Sequence, residues 1–208
     1  GFFGRHMPQF LDENVKKKAS YLPTVVASIV PFLIGLAIAY VIYGQGATSK
    51  YDVKIQTIKT TETYWIYLAL VFLGRAVSIV NLLPAYFKNQ ILNKGNIRAN
   101  PFIYKVMDGG HVLFDEDGVI GQYNRGNRSL HHMIETLPLV LAGLFAAGQV
   151  FPFPTFILIS LISFGRIIHS LGYSYKGYGG HAPGFLLAFL ATSILEGLLA
   201  IVFFKASS

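Results

Sequence analysis

The chain alternates long apolar runs with shorter polar segments. Crossing a bilayer core as a helix takes about 20 apolar residues. Five runs approach or exceed that length: Leu22–Tyr43, Tyr64–Phe87, Asn127–Val150, Pro154–Tyr173 and Gly184–Phe204. The first carries no charge, has Pro23 in its first turn, and holds Pro31 where a kink is expected. Arg75 and Asn81 interrupt the second, and Glu196 sits inside the last. Residues 44–63 read as a polar linker, 88–126 as a long polar loop, and 174–183 as a Gly/Tyr-rich loop. Within the long loop, His111–Phe114 and Val119–Tyr123 flank the acidic stretch from Asp115 to Gly118, a pattern that predicts a β-hairpin. The acidic stretch is too short for an EF-hand calcium loop. The pattern as a whole predicts an all-α integral membrane protein with five spans.

The third and fourth spans differ from the rest because they carry ionisable residues at membrane depth. They are joined by the tight turn Phe151-Pro152-Phe153-Pro154. Arg128, His132 and Glu135 fall at i, i+4 and i+7, and so share one helix face. Arg166, His169 and Tyr173 do the same at i, i+3 and i+7. In an antiparallel hairpin both helices rise equally per residue, so residues of equal depth lie at equal distances along the chain from the turn. This arithmetic predicts three rungs: Arg128 beside Tyr173, His132 beside His169, and Glu135 beside Arg166. It fixes depth and says nothing about which way the faces point. A charge at a helix centre costs about 2.5–3.5 kcal/mol on insertion scales, so such rungs need neutralising neighbours. They read either as internal scaffolding or as a polar site open to one membrane face. For Arg75 the two expected uses are a pair with Glu196, or bonds to backbone carbonyls or to a neighbouring subunit.

Composition narrows the classes. The 208 residues fit one domain, 53% of them are hydrophobic and 13% charged, and the mean hydropathy is +0.50. With no cysteine, disulfides, thiolate metal sites and cysteine nucleophiles are excluded. The net charge of +7 follows topology better than nucleic acid, since no arginine-rich tract or aromatic–basic interleaving is present. Positive residues crowd the N-terminal flank, which includes Lys16-Lys17-Lys18, and the loops 88–126 and 174–183. That side is expected to face the cytosol or its organellar equivalent. The polar face then opens toward it, with Lys94, Arg98, Arg125 and Lys176 at the rim of a funnel that attracts carboxylates. If the ligand is a thiol, a nearby guanidinium or hydroxyl stabilises its thiolate, while a lipid-soluble electrophile enters between helices. His132 and His169 at equal depth also match a haem clamp, and His132 with Glu135 a metal site. Hydrogen bonding inside a polar cluster is the plainer use of such a pair, and no metal is expected.

The pattern Arg128-x-x-x-His132-x-x-Glu135-x-x-Pro138, followed by Arg166-x-x-His169-x-x-x-Tyr173, resembles the MAPEG family of membrane-associated eicosanoid and glutathione enzymes. The segment Arg98-Ala-Asn100-Pro101 resembles the basic stretch after that family's first span. The resemblance covers roughly residues 64–204. It implies a four-helix MAPEG-like bundle with one extra N-terminal transmembrane helix. Residues 1–63 would then be flank, extra helix and linker, and 64–204 the membrane domain with an inserted polar loop at about 88–126. It also implies a homotrimer that binds glutathione between protomers, in an endoplasmic reticulum or mitochondrial membrane. Carried over residue by residue, Arg128, His132, Glu135, Arg166, His169 and Tyr173 would bind glutathione, with Arg128 and Tyr173 at the chemistry. The implied activity is a glutathione transferase or peroxidase acting on lipophilic electrophiles. Two departures stand against it. His132 replaces the family's usual asparagine, and residues 174–186 hold no arginine where several members use one to activate the thiol. Lys176 and His181 are the candidates to replace it. The departures and the extra helix point to the alternative of a degenerate family member serving as accessory subunit of a larger membrane complex.

Overall fold

The structure, a computed structural model, describes residues 22–92, 105–108 and 111–208. The N-terminal flank, the rim positions Lys94 and Arg98, and Asn100 and Pro101 of the family-like segment lie outside the described residues. Six helices and one hairpin follow in order: α1 (Leu22–Gln45), α2 (Thr48–Thr60), α3 (Tyr64–Leu92), β1 (Lys105–Asp108), β2 (His111–Phe114), α4 (Gly118–Gly148), α5 (Pro152–Lys176) and α6 (Ala182–Ala206). All but α2 are long and apolar enough to cross a membrane. The all-α membrane fold expected from the apolar runs is the fold observed.

The core is shared by four helices. Ala69, Leu73, Ala76 and Val80 of α3 meet Met133, Val140 and Leu144 of α4, Ile159 and Ile162 of α5, and Ala191 and Leu195 of α6. The chain reverses between α4 and α5 at Gln149–Phe151, and Pro152 opens α5 where its missing amide costs nothing. Trp65 packs its ring on Phe153 at 4.8 Å and Phe156 at 5.0 Å, which fastens the start of α3 to the start of α5.

The seam between α5 and α6 is made of glycine. A Cβ at Gly184 would overlap the backbone nitrogen of His169, and one at Gly172 would overlap the carbonyl oxygen of Gly180. A Cβ at Gly165 would lie 2.8 Å from the Ala188 nitrogen. Small residues let two membrane helices approach backbone to backbone, which is the main source of packing energy where water supplies none.

Three elements differ from the sequence expectation. The linker 44–63 contains the polar helix α2. The hairpin lies one strand earlier, pairing Lys105 with Phe114 and Asp108 with His111. Val119–Tyr123, expected as a strand, forms the first turns of α4. Val119, Ile120 and Tyr123 are spaced as one helical face, and they pack on Leu83, Tyr86 and Phe87 at the end of α3. Asp115, Glu116 and Asp117 immediately precede α4, where the helix dipole favours negative charge. Gly118 takes a φ of +50°, which lets the chain turn from Asp117 into the helix. The acidic stretch is a helix start rather than a hairpin turn.

Helix α1 stands apart. It contributes no buried residue and leans on α3. Arg75 does not pair with Glu196, which is exposed on α6. Instead Nη1 of Arg75 donates to the carbonyl of Ser28 at 2.9 Å, and the guanidinium lies 5.1 Å from the centre of the Phe32 ring. Pro31 has no amide for the carbonyl of Ala27, the residue before the one that Arg75 reaches. Arg75→Leu is expected to weaken the docking of α1 by about 2 kcal/mol, with the four-helix core intact. Spin labels on α1 and α3 would then report a broadened distance distribution. An unchanged distribution would mean that apolar contact alone holds α1.

Candidate functional site

The polar residues of α4 and α5 meet near the end of the bundle where α5 leads into α6. Their placement follows from helix phase. Ser129, Met133, Val140 and Ala147 of α4 face the core. At 3.6 residues per turn, Glu135 is rotated about 140° from Val140. It therefore points outward, and its carboxylate accepts from Nη1 of Arg128 at 2.9 Å, with the two side chains 55% and 59% exposed. The expected rung between Glu135 and Arg166 does not form.

Arg166 is 9% exposed. Its Nη1 lies 3.2 Å from Nδ1 of His132, and its Nη2 donates to the hydroxyl of Thr136 at 3.0 Å. A guanidinium has no acceptor, so it is the donor to His132, and a neutral His132 carries its proton on Nε2. Among the described residues no carboxylate pairs with Arg166. Thr136 escaped the sequence reading because it lies one position past Glu135, although the one-turn step from His132 marks it as a candidate for the inner face.

The middle rung does form, with the rings of His132 and His169 5.4 Å apart. The outer pair, Arg128 and Tyr173, shares a cavity of about 260 Å³ with both histidines. That cavity also takes Ser129 from α4, Tyr178 and His181 from the loop before α6, and Phe185 from α6. The ring of His181 lies 5.3 Å from His169 and 5.5 Å from Tyr173. Ser129 and Phe185 were not singled out by the sequence, since neither carries charge and each sits in an ordinary apolar or polar run.

Three buried polar atoms lining this cavity have no hydrogen-bond partner among the described residues: the Ser129 hydroxyl, Nδ1 of His169 and Nδ1 of His181. Buried polar groups are almost always paired, and these three can take up a hydrogen-bonding partner; others of the kind, on Asn127, Thr155, Ser163 and Ser174, lie away from the cavity. Arg125, expected at the rim, is a clamp. Its guanidinium donates to the carbonyls of Tyr173 and Ser174 at the end of α5, and to that of Glu116 before α4. A cation is favourable at a helix C-terminus, and there it closes the floor of the loop. Among the described residues no group of three or more His, Asp or Glu side chains is arranged to hold a metal ion. The guanidinium on Nδ1 of His132 and the diversion of Glu135 to Arg128 both work against one.

The family model for MAPEG matches residues 94–201, which take in all of α4 and α5 and most of α6. The chain belongs to the MAPEG family. No curated protein and no solved structure matches it. The matched segment contains every residue that lines the cavity, whereas α1, α2 and α3 precede it. As a MAPEG protein the chain is an integral multi-pass membrane protein in contact with lipid.

Proposed function

We propose that this MAPEG protein is a glutathione-dependent transferase or peroxidase acting on lipophilic electrophiles. The observation that carries this reading is the cavity itself. It joins a guanidinium at the rim, imidazoles from α4, α5 and the loop, and orphaned buried polar atoms. Such a lining suits a small polar anion with a thiol, and the surrounding helices give an apolar electrophile a lateral route. Arg128 attracts the ligand carboxylates, and Tyr173 offers a hydroxyl near the sulfur. The reading includes a homotrimer. The Arg128–Glu135 pair lies exposed on a membrane helix, where a second copy would shield it from lipid and help close the site. Residues 64–204 form the working domain in this reading, in an endoplasmic reticulum or mitochondrial membrane.

Calorimetry of glutathione binding to the detergent-solubilised protein tests it. Arg128→Ala is expected to weaken binding about tenfold or more, the loss of one charge-assisted contact. Absence of binding to the unaltered protein at millimolar glutathione removes the proposal.

One observation favours a second reading, that of an accessory subunit. Helix α1 carries no charge and contributes no buried residue, so the side turned away from α3 is open to another membrane protein. Stoichiometric co-purification with a larger complex, without glutathione turnover, would support this reading over the first.

A further inference from the structure

Three imidazoles from three successive elements form a row through the cavity. His132 stands on α4, His169 on α5, and His181 at the N-cap of α6. They differ in what remains free. His132 already receives the Arg166 guanidinium on Nδ1. His169 is 6% exposed and packed between the rings of His132, His181 and Phe185. His181 has an unpartnered Nδ1 and lies at the mouth, its ring 5.5 Å from that of Tyr178, which is 95% exposed. It therefore has a buried nitrogen without a partner and stands beside an exposed loop residue.

The backbone holds His181 in place. Gly177 and Gly179 adopt φ of 70° and 92°, the left-handed region that lets the loop fold back on α5. Gly172 and Gly180 then approach backbone to backbone, and the carbonyl of His181 accepts the amide of Phe185 at 2.9 Å to start α6. The ring is positioned over the cavity by a packed turn.

We propose that His181 is the proton acceptor for a thiol bound in this cavity, a role that rests on the glutathione reading. The S–H bond breaks, the proton passes to a ring nitrogen of His181, and the electron pair stays on sulfur. The thiolate then forms a C–S bond at the electrophilic carbon, and the leaving group departs with the electron pair of its own bond. The imidazolium returns its proton to water at the mouth. An imidazole suits this work because it titrates near neutrality, where a general base is most effective. The groups facing it are Arg128 and His132 from α4, His169 and Tyr173 from α5 with Arg166 behind them and Lys176 at the helix end, and Tyr178 from the loop. Their cations favour the sulfur anion. The chain thus assigns to an imidazole on this loop the activation that a guanidinium performs elsewhere.

The test uses the full chain in detergent or nanodiscs, with glutathione and a chloronitroarene as the electrophile. His181→Gln is expected to bind glutathione within about threefold of the unaltered protein while kcat falls about 100-fold or more. The acidic limb of its pH–rate profile should disappear. His181→Gly should regain turnover when free imidazole is added. Thiolate absorbance should appear when the unaltered protein binds glutathione near neutrality, and should be weaker in His181→Gln at equal occupancy. A His181→Gln protein that keeps its thiolate absorbance, its kcat and its acidic limb overturns the inference while glutathione binding stands. An unaltered protein that binds no glutathione removes the parent reading, and this inference with it.

Discussion

Arg166→Met is expected to weaken ligand binding about 100-fold while leaving the protein about as stable as before. Arg166 is a buried cation whose bonds go to an imidazole and a hydroxyl, with no carboxylate partner among the described residues. Replacing buried ionic groups by apolar chains of similar volume is often neutral or stabilising, by about 1–4 kcal/mol for pairs and triads, and a lone cation has still less to lose. Against this, Nδ1 of His132 loses its donor, at about 1–3 kcal/mol. Thr136 loses less, because its hydroxyl also lies within reach of the carbonyls of His132 and Met133. The two sides nearly cancel, so the net change in stability should stay within about 2 kcal/mol. Affinity has no such compensation. Removing a cation from behind the floor of a low-dielectric cavity should weaken binding of an anionic thiol about 100-fold. Thermal unfolding in detergent and calorimetry with glutathione read the two quantities separately. A protein that melts far below the unaltered one would make Arg166 a structural post and not part of a ligand site.

Gly184→Ala should have the largest effect on the fold. The added methyl meets the backbone of His169 and lies 2.5 Å from the Gly165 carbonyl oxygen. Neither can rotate away as a side chain tip would. Overpacking of this kind costs about 1–3 kcal/mol when neighbours yield, and here the cost should reach the top of that range. The only relief is to part α5 from α6, which would carry His181 and Phe185 away from His169. Stability and glutathione affinity should therefore fall together, in contrast to Arg166→Met. Gly197→Ala on the open face of the same helix, where a Cβ meets nothing within 4 Å, should change neither. If Gly184→Ala melts like the unaltered protein, the helices are not seated on a glycine seam.

The comparison of these two sites shows what the sequence made legible. Apolar length gave the five spans directly, because a bilayer imposes one requirement on every crossing. Equal distance from the turn placed His132 beside His169. Depth, however, is only one of two helical coordinates, and the arithmetic carried no phase information. The ion pair formed within α4, between Arg128 and Glu135, since both lie on its outer side. Arg166 reached Thr136 because that side chain lies closer to the inner face. Of the two uses expected for Arg75, the pair with Glu196 does not form and the bond to a backbone carbonyl does, at Ser28. Val119–Tyr123 was misread because a short apolar run fits a strand or a helical face equally until its packing partner is known. His181 was visible only as a replacement candidate, and its position depends on backbone approach between glycines, which carries no hydropathy signal.

The contrast between α1 and the α4–α5 hairpin bears on how the chain enters its membrane. Of the five spanning helices α1 is the most apolar, and α4 and α5 are the least. Insertion is decided segment by segment by summed transfer cost, so α1 can enter alone as it leaves the ribosome. Helices α4 and α5 are less independent, because each carries polar groups that bond to the other: His132 and Thr136 receive Arg166, and carbonyls at the end of α5 receive Arg125. Their three-residue turn is short enough for the two to cross as one body. In biogenesis the polar contacts of the cavity would then form as α4 and α5 enter together, whereas α1 needs no partner to cross.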